Sequence, residues 1–72
     1  MARMRSPRIS LIARELDVLE ASAQGLSNAQ IAEFLVVSEA TVKTHLSHIY
    51  TKLGVTSRSA AVAKARDIGF IR

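Results

Sequence analysis

The 72-residue chain has no cysteine, no tryptophan, a single proline and three glycines. Without cysteine there is neither a disulfide staple nor a thiolate zinc site. That composition fits a reducing, cytoplasmic setting. No run approaches the ~20 apolar residues of a membrane span. The opening MARMRSPR is basic but has no apolar stretch behind it, so it is not a secretory signal. Acid is also scarce in one part of the chain. Residues 40–72 hold Asp67 alone against Lys43, Lys52, Arg58, Lys64, Arg66 and Arg72, a net +5. Residues 9–39 hold Arg14 against Glu15, Asp17, Glu20, Glu33 and Glu39, a net −4, and residues 1–8 add Arg3, Arg5 and Arg8. Such asymmetry points to a polyanionic partner for the basic half; ordinary scatter of charge over a small domain is the alternative.

Catalysis finds no support. There is no set of nucleophile, base and orienting group, no glycine-rich phosphate loop and no cluster of metal ligands, so neither an enzyme nor a cofactor is expected. What the length allows is one small core, economically packed or helped by a second subunit. Residues 1–9 read as a basic flexible arm with Pro7 in it, and residues 10–72 as the folded domain.

Four helical patterns fill that domain, and strand signal is nearly absent. The first helix is expected from about Ala13 to Gln24, with Leu16, Leu19 and Ala23 inward and Gly25 closing it. Ile12 offers no side-chain acceptor, so Ser10 is read as the cap. The second is expected over Asn28 to Leu35, with Ser27 and Gln30 forming a capping box and Ile31, Ala32 and Leu35 facing inward. Only Val36 and Val37 separate it from Ser38, the cap of a third helix expected from Glu39 to Leu53 and stopped by Gly54. Two helices joined so tightly form a helix-turn-helix unit. Ser57 caps the fourth, which runs to about Ile68 with Ala61, Ala65 and Ile68 inward.

The third helix, EATVKTHLSHIYTKL, has two unlike faces. At about 100° per residue, Val42, Leu46, Ile49 and Leu53 form one apolar stripe. Ala40, Thr44, Ser47 and Thr51 fall opposite it, with Lys43 and His48 on the shoulders and Thr41, His45 and Lys52 on one flank. After Glu39 this outward face holds no acid, whereas a merely solvated face commonly mixes Glu and Lys four residues apart. Short hydrogen-bonding side chains let a helix approach base edges in the ~12 Å major groove of DNA, and a lysine beside them can reach guanine. Each residue also has a plainer role: Lys43 as a solvated cation, Tyr50 as core packing, Ser27 and Ser38 as caps. His45 and His48 stand at a spacing that can bind a metal. No carboxylate or cysteine follows at ligand spacing, so no metal is expected.

The segment RELDVLEASAQGLSNAQIAEFLVVSEATVKTHLSHIYTKLGVTSRSAAVAKA, and with it nearly the whole chain, resembles the LuxR/NarL/GerE-type helix-turn-helix DNA-binding domain. Arg14-Glu15, Val18-Leu19, Gly25, Ser27-Asn28, Ile31-Ala32, Leu35, Ser38, TVKTH at 41–45, Ile49, KLGV at 52–55 and Ser57-Arg58 carry the resemblance. It implies an all-α, four-helix domain without a wing, its third helix in the major groove. By the same resemblance Lys43, Thr44 and Ser47 face bases. Thr41, His45, Lys52, Arg58, Asn28 and Ser27 lie near phosphates. The fourth helix implies a homodimer on DNA through Ala60, Ala63, Lys64 and Asp67. Two positions depart from the pattern: the family usually has Leu-Thr where Leu11-Ile12 stands, and often Asn at His48. The tail resembles that of large ATP-binding regulators of the family, and response regulators end similarly. Sequence-specific binding of double-stranded DNA in bacterial transcription control is therefore the expected function. The alternative is a helical protein-interaction module contacting RNA polymerase or a sensor domain, which would expose an apolar patch on the third helix.

Overall fold

A computed structural model describes residues 11–72 and contains four helices: α1 (Ala13–Ala23), α2 (Asn28–Leu35), α3 (Glu39–Leu53) and α4 (Arg58–Asp67). The basic arm expected at residues 1–9 and the cap expected at Ser10 lie outside the described residues. Among the described residues there is no strand, and no helix is long and apolar enough to cross a membrane.

Helix boundaries follow local chemistry. The Ser27 hydroxyl accepts from the Gln30 N–H at 3.1 Å and the Gln30 side chain accepts from the Ser27 N–H at 2.8 Å, so the capping box forms as expected. Ser38 accepts from the Thr41 N–H and Ser57 from the Ala60 N–H, each at 3.1 Å. Gly54 ends α3 in the left-handed region at φ 70°, where a side chain would be strained. α1 starts at Ala13 as expected, but its capping differs from the sequence expectation. Ile12 is the cap residue, and in place of a hydroxyl the Glu15 side chain reaches back to accept its N–H at 3.2 Å. Half of a capping box thus survives without the threonine.

α3 is the central element and packs on the other three helices; α1 also touches α2 and α4. Its stripe of Val42, Leu46, Ile49 and Leu53 is buried as the angular reading requires. Val18 and Leu19 from α1, Ile31 and Ala32 from α2, and Ala61 and Ala65 from α4 complete the core. Each large aliphatic side chain so removed from water contributes about 1.5–3 kcal/mol. The inward face of α1 is rotated from the expected one. Glu15, Val18, Leu19, Ala21 and Ser22 are buried, whereas Leu16 and Ala23 are half-buried and Ile12 is exposed. The rotation brings a carboxylate inward, where α3 supplies its partner.

The α2–α3 turn carries a local conflict. Val36 stands in the left-handed region at φ 59° and ψ 50°, the only non-glycine with positive φ among the described residues, and is 88% exposed. A β-branched residue there is a steric outlier costing on the order of 1–3 kcal/mol, and its exposed side chain recovers little by packing. Replacing Val36 with glycine should therefore raise stability by about 1 kcal/mol, read as a higher denaturant midpoint at unchanged slope. A lower midpoint would show that the Val36 side chain stabilises the fold.

Candidate nucleic-acid interface

The side chains left over when α3 fills the core form a continuous outward surface. Lys43, Thr44 and Ser47 are exposed, Thr41 and His45 are half-buried on one flank, and Glu39 at the first turn is the only acid on the helix. Thr44 donates its hydroxyl hydrogen to the Ala40 carbonyl at 3.0 Å. Its oxygen lone pairs and methyl group remain free to face outward. The Thr41 and Ser38 hydroxyls lie 3.0 Å apart and share one hydrogen bond. His45 Nδ1 is buried without a partner among the described residues, so the other ring nitrogen is its remaining polar atom.

The C-terminal half of α3 is held from beneath by α1. Glu15, 2% exposed, accepts from Lys52 Nζ at 2.7 Å, and its second oxygen lies 3.7 Å from His48 Nδ1. One carboxylate therefore caps its own helix and faces two basic side chains of the next-but-one helix. Burial pushes the Glu15 carboxyl up, but the Lys52 ammonium, the Ile12 N–H and His48 pull it below its ordinary value near 4.5. Hydropathy alone does not show this role, because a glutamate in the first turn of a helix usually just complements the dipole. The available signal was its angular position, four residues before Leu19 and seven before Ser22, on the buried side.

A second tie sits at the other end of the site. The Arg58 guanidinium donates to the Leu26 carbonyl and to Asn28 Oδ1, joining the start of α4 to the start of α2. The residues expected near phosphates thus divide. Thr41 and His45 lie on the α3 flank, and Ser27 caps α2. Lys52, Arg58 and Asn28 are engaged inside the protein. An ammonium has three donors and a guanidinium five, so Lys52 and Arg58 keep donors beyond those bonds. Lys43, Thr44 and Ser47 are brought together on one exposed strip. Of the expected dimer face, Ala63, Lys64 and Asp67 are exposed on α4 and Ala60 is half-buried.

Removing Lys52 strands a buried carboxylate. Lys52→Met should cost about 2–4 kcal/mol, below the upper range for buried pairs because the lysine is partly solvated. Adding Glu15→Leu to that variant should recover most of the loss; two costs that simply add would contradict the pairing. Because Glu15 titrates below its ordinary value when folded, its contribution is complete above about pH 4.5 and is lost as pH falls through the lowered value. Melting temperature should fall across that acid range, less steeply in Glu15→Gln; equal slopes would remove Glu15 from acid sensitivity.

Known proteins share both this sequence and this geometry. Residues 9–65 match the family described as bacterial regulatory proteins, luxR family. The nitrate/nitrite response regulator NarP of Escherichia coli (strain K12) is 59% identical over 51 residues, covering 71% of this chain and 24% of NarP. The response regulator ChrA of a heme-sensing two-component system superposes with a TM-score of 0.85 at 56% identity, over 92% of this chain and 33% of ChrA. The transcription factor GerE superposes with a TM-score of 0.82 at 32% identity, over 94% of this chain and 97% of GerE. Across the curated relatives the chain spans from 7% to 29% of the partner's length. NarP and ChrA are thus matched in one part only, and GerE is matched over almost its whole length. With the four helices, the tight α2–α3 turn and the family's motifs in one continuous stretch, the chain belongs to the luxR family of bacterial regulatory proteins.

Proposed function

We propose that residues 10–72 bind double-stranded DNA sequence-specifically in bacterial transcription regulation, with α3 in the major groove. The observation that carries this reading is the division of α3. One face is wholly committed to the core, and the other presents Lys43, Thr44 and Ser47 with no acid beyond Glu39. A 15-residue helix is ~22 Å long and fits that groove along its length. Lys43 reaches a guanine O6 or N7. Thr44, its hydroxyl hydrogen already spent on Ala40, offers a methyl to thymine or a lone pair to a base amino group. Ser47 donates or accepts. No large apolar side chain stands on this strip, which favours DNA over a protein-interaction surface there.

Thr41, His45, Ser27, Asn28, Lys52 and Arg58 set the register on the backbone. Lys52 and Arg58 do so with the donors left over from Glu15, Leu26 and Asn28. The unit is a binding module rather than an enzyme, acting in the cytoplasm, with residues 1–9 as a basic arm. Ala60, Ala63, Lys64 and Asp67 form the contact of a homodimer on DNA, where small side chains allow two α4 helices to approach closely. In a two-fold dimer the bound sites are inverted repeats.

Four measurements test this. Affinity for duplex DNA, followed by fluorescence anisotropy, should fall steeply and log-linearly with salt. Lys43→Ala should cost about 1–3 kcal/mol at one base position and relax preference there; an equal loss on every sequence would refute base reading by Lys43. Ala63→Arg should leave binding to a single half-site intact and abolish the tighter binding to paired half-sites. A wild-type domain sedimenting as a strict monomer on paired sites would overturn the dimer.

A further inference from the structure

A groove of about 350 Å³ runs between α1 and α2, lined by Asp17, Glu20, Ala21, Gln24, Leu26, Phe34 and Leu35. Three features set it apart. The chain has three aromatic residues; Tyr50 and Phe70 pack against the core, whereas Phe34 is 73% exposed at the edge of this groove. Val36, one residue past Leu35, holds an exposed β-branched side chain in the left-handed region with no packing in return. Two unfavourable choices within three residues, one of hydration and one of backbone, are the kind that a partner's contact repays. Thirdly, the lining carries two carboxylates and no cation; Arg14 meets Asp17 only at 3.8 Å, with both side chains about half exposed.

We propose that this groove docks a basic protein segment, one apolar side chain seated among Leu26, Phe34 and Leu35, flanked by Arg or Lys reaching Asp17 and Glu20. The charge decides the class of partner. Carboxylates repel a phosphate backbone, so DNA is disfavoured here, and the same groove of a second copy would oppose acid with acid. A guanidinium satisfies the carboxylates and also stacks on the exposed face of Phe34. The groove shares no residue with the α3 strip, so the proposal stands whether or not the DNA reading holds.

The test is a titration of the ¹⁵N-labelled protein with a synthetic peptide carrying two leucines flanked by arginine pairs. Controls replace every arginine with glutamate or both leucines with serine. Saturable amide shifts confined to Asp17, Glu20, Gln24, Leu26, Phe34 and Leu35 are expected, and both controls should abolish them. Phe34→Ser and Glu20→Lys should each weaken binding at least tenfold at unchanged melting temperature. Shifts that persist in Phe34→Ser, or that centre on α3 or α4, would overturn the proposal. So would shifts in the groove produced by duplex DNA, or by raising protein concentration alone, which would assign the groove to DNA or to a second copy.

Discussion

Glu15 and Lys52 join the first helix to the far end of the third through a 2.7 Å ion pair with one partner almost wholly buried. In a core this small such a contact does more than a hydrophobic one can. Apolar packing is non-directional and tolerates sliding or rotation of one helix on another, whereas a buried carboxylate with a fixed partner does not. The same oxygen also takes the Ile12 N–H. The start of α1, its rotation about its own axis and the placement of the C-terminal half of α3 are thereby set by one side chain. Arg58 does the corresponding work at the start of α2, through Leu26 and Asn28. Between these two ties the outward strip of α3 has a defined aim.

In the proposed DNA-binding role, that aim is what lets the outward strip of α3 meet base edges. Base edges are recognised at hydrogen-bond distance, and short side chains such as Thr44 and Ser47 cannot make up for a misplaced backbone as a long side chain can. Rigid support beneath α3 and short donors on top of it belong together. Cations at the margin are shared between roles under the same proposal: Lys52 and Arg58 hold the fold with some of their donors, and the remaining donors are the ones proposed for phosphate. Loss of either is a loss of stability as well as of charge.

The sequence makes the helices and the α3 strip legible for physical reasons. Ser27, Ser38 and Ser57 announce helix starts because a hydroxyl satisfies a free N–H wherever it occurs. Gly54 announces an end because its backbone allows positive φ. The stripe at 42, 46, 49 and 53 is visible because α3 is long enough for its period to declare itself. The inward face of α1 is not so visible. There a charged residue occupies a core position, and its partner is 37 residues away, so hydropathy places Leu16 inward and Glu15 outward. The ties of Arg58 are hidden for the same reason: a cation's partner depends on tertiary structure, and a sequence shows only the cation. Nor does anything local announce the left-handed Val36, since residue preference there favours glycine or asparagine.

Selection of bound sites from random duplex DNA tests the central claim most directly. If the outward strip of α3 reads bases, repeated rounds will converge on one short motif. They will converge on an inverted pair of such motifs if α4 joins two copies, and the Lys43→Ala domain will lose preference at one position of the motif while keeping the rest. Retained DNA with no enriched sequence would mean that the strip contributes charge alone, and would contradict the account.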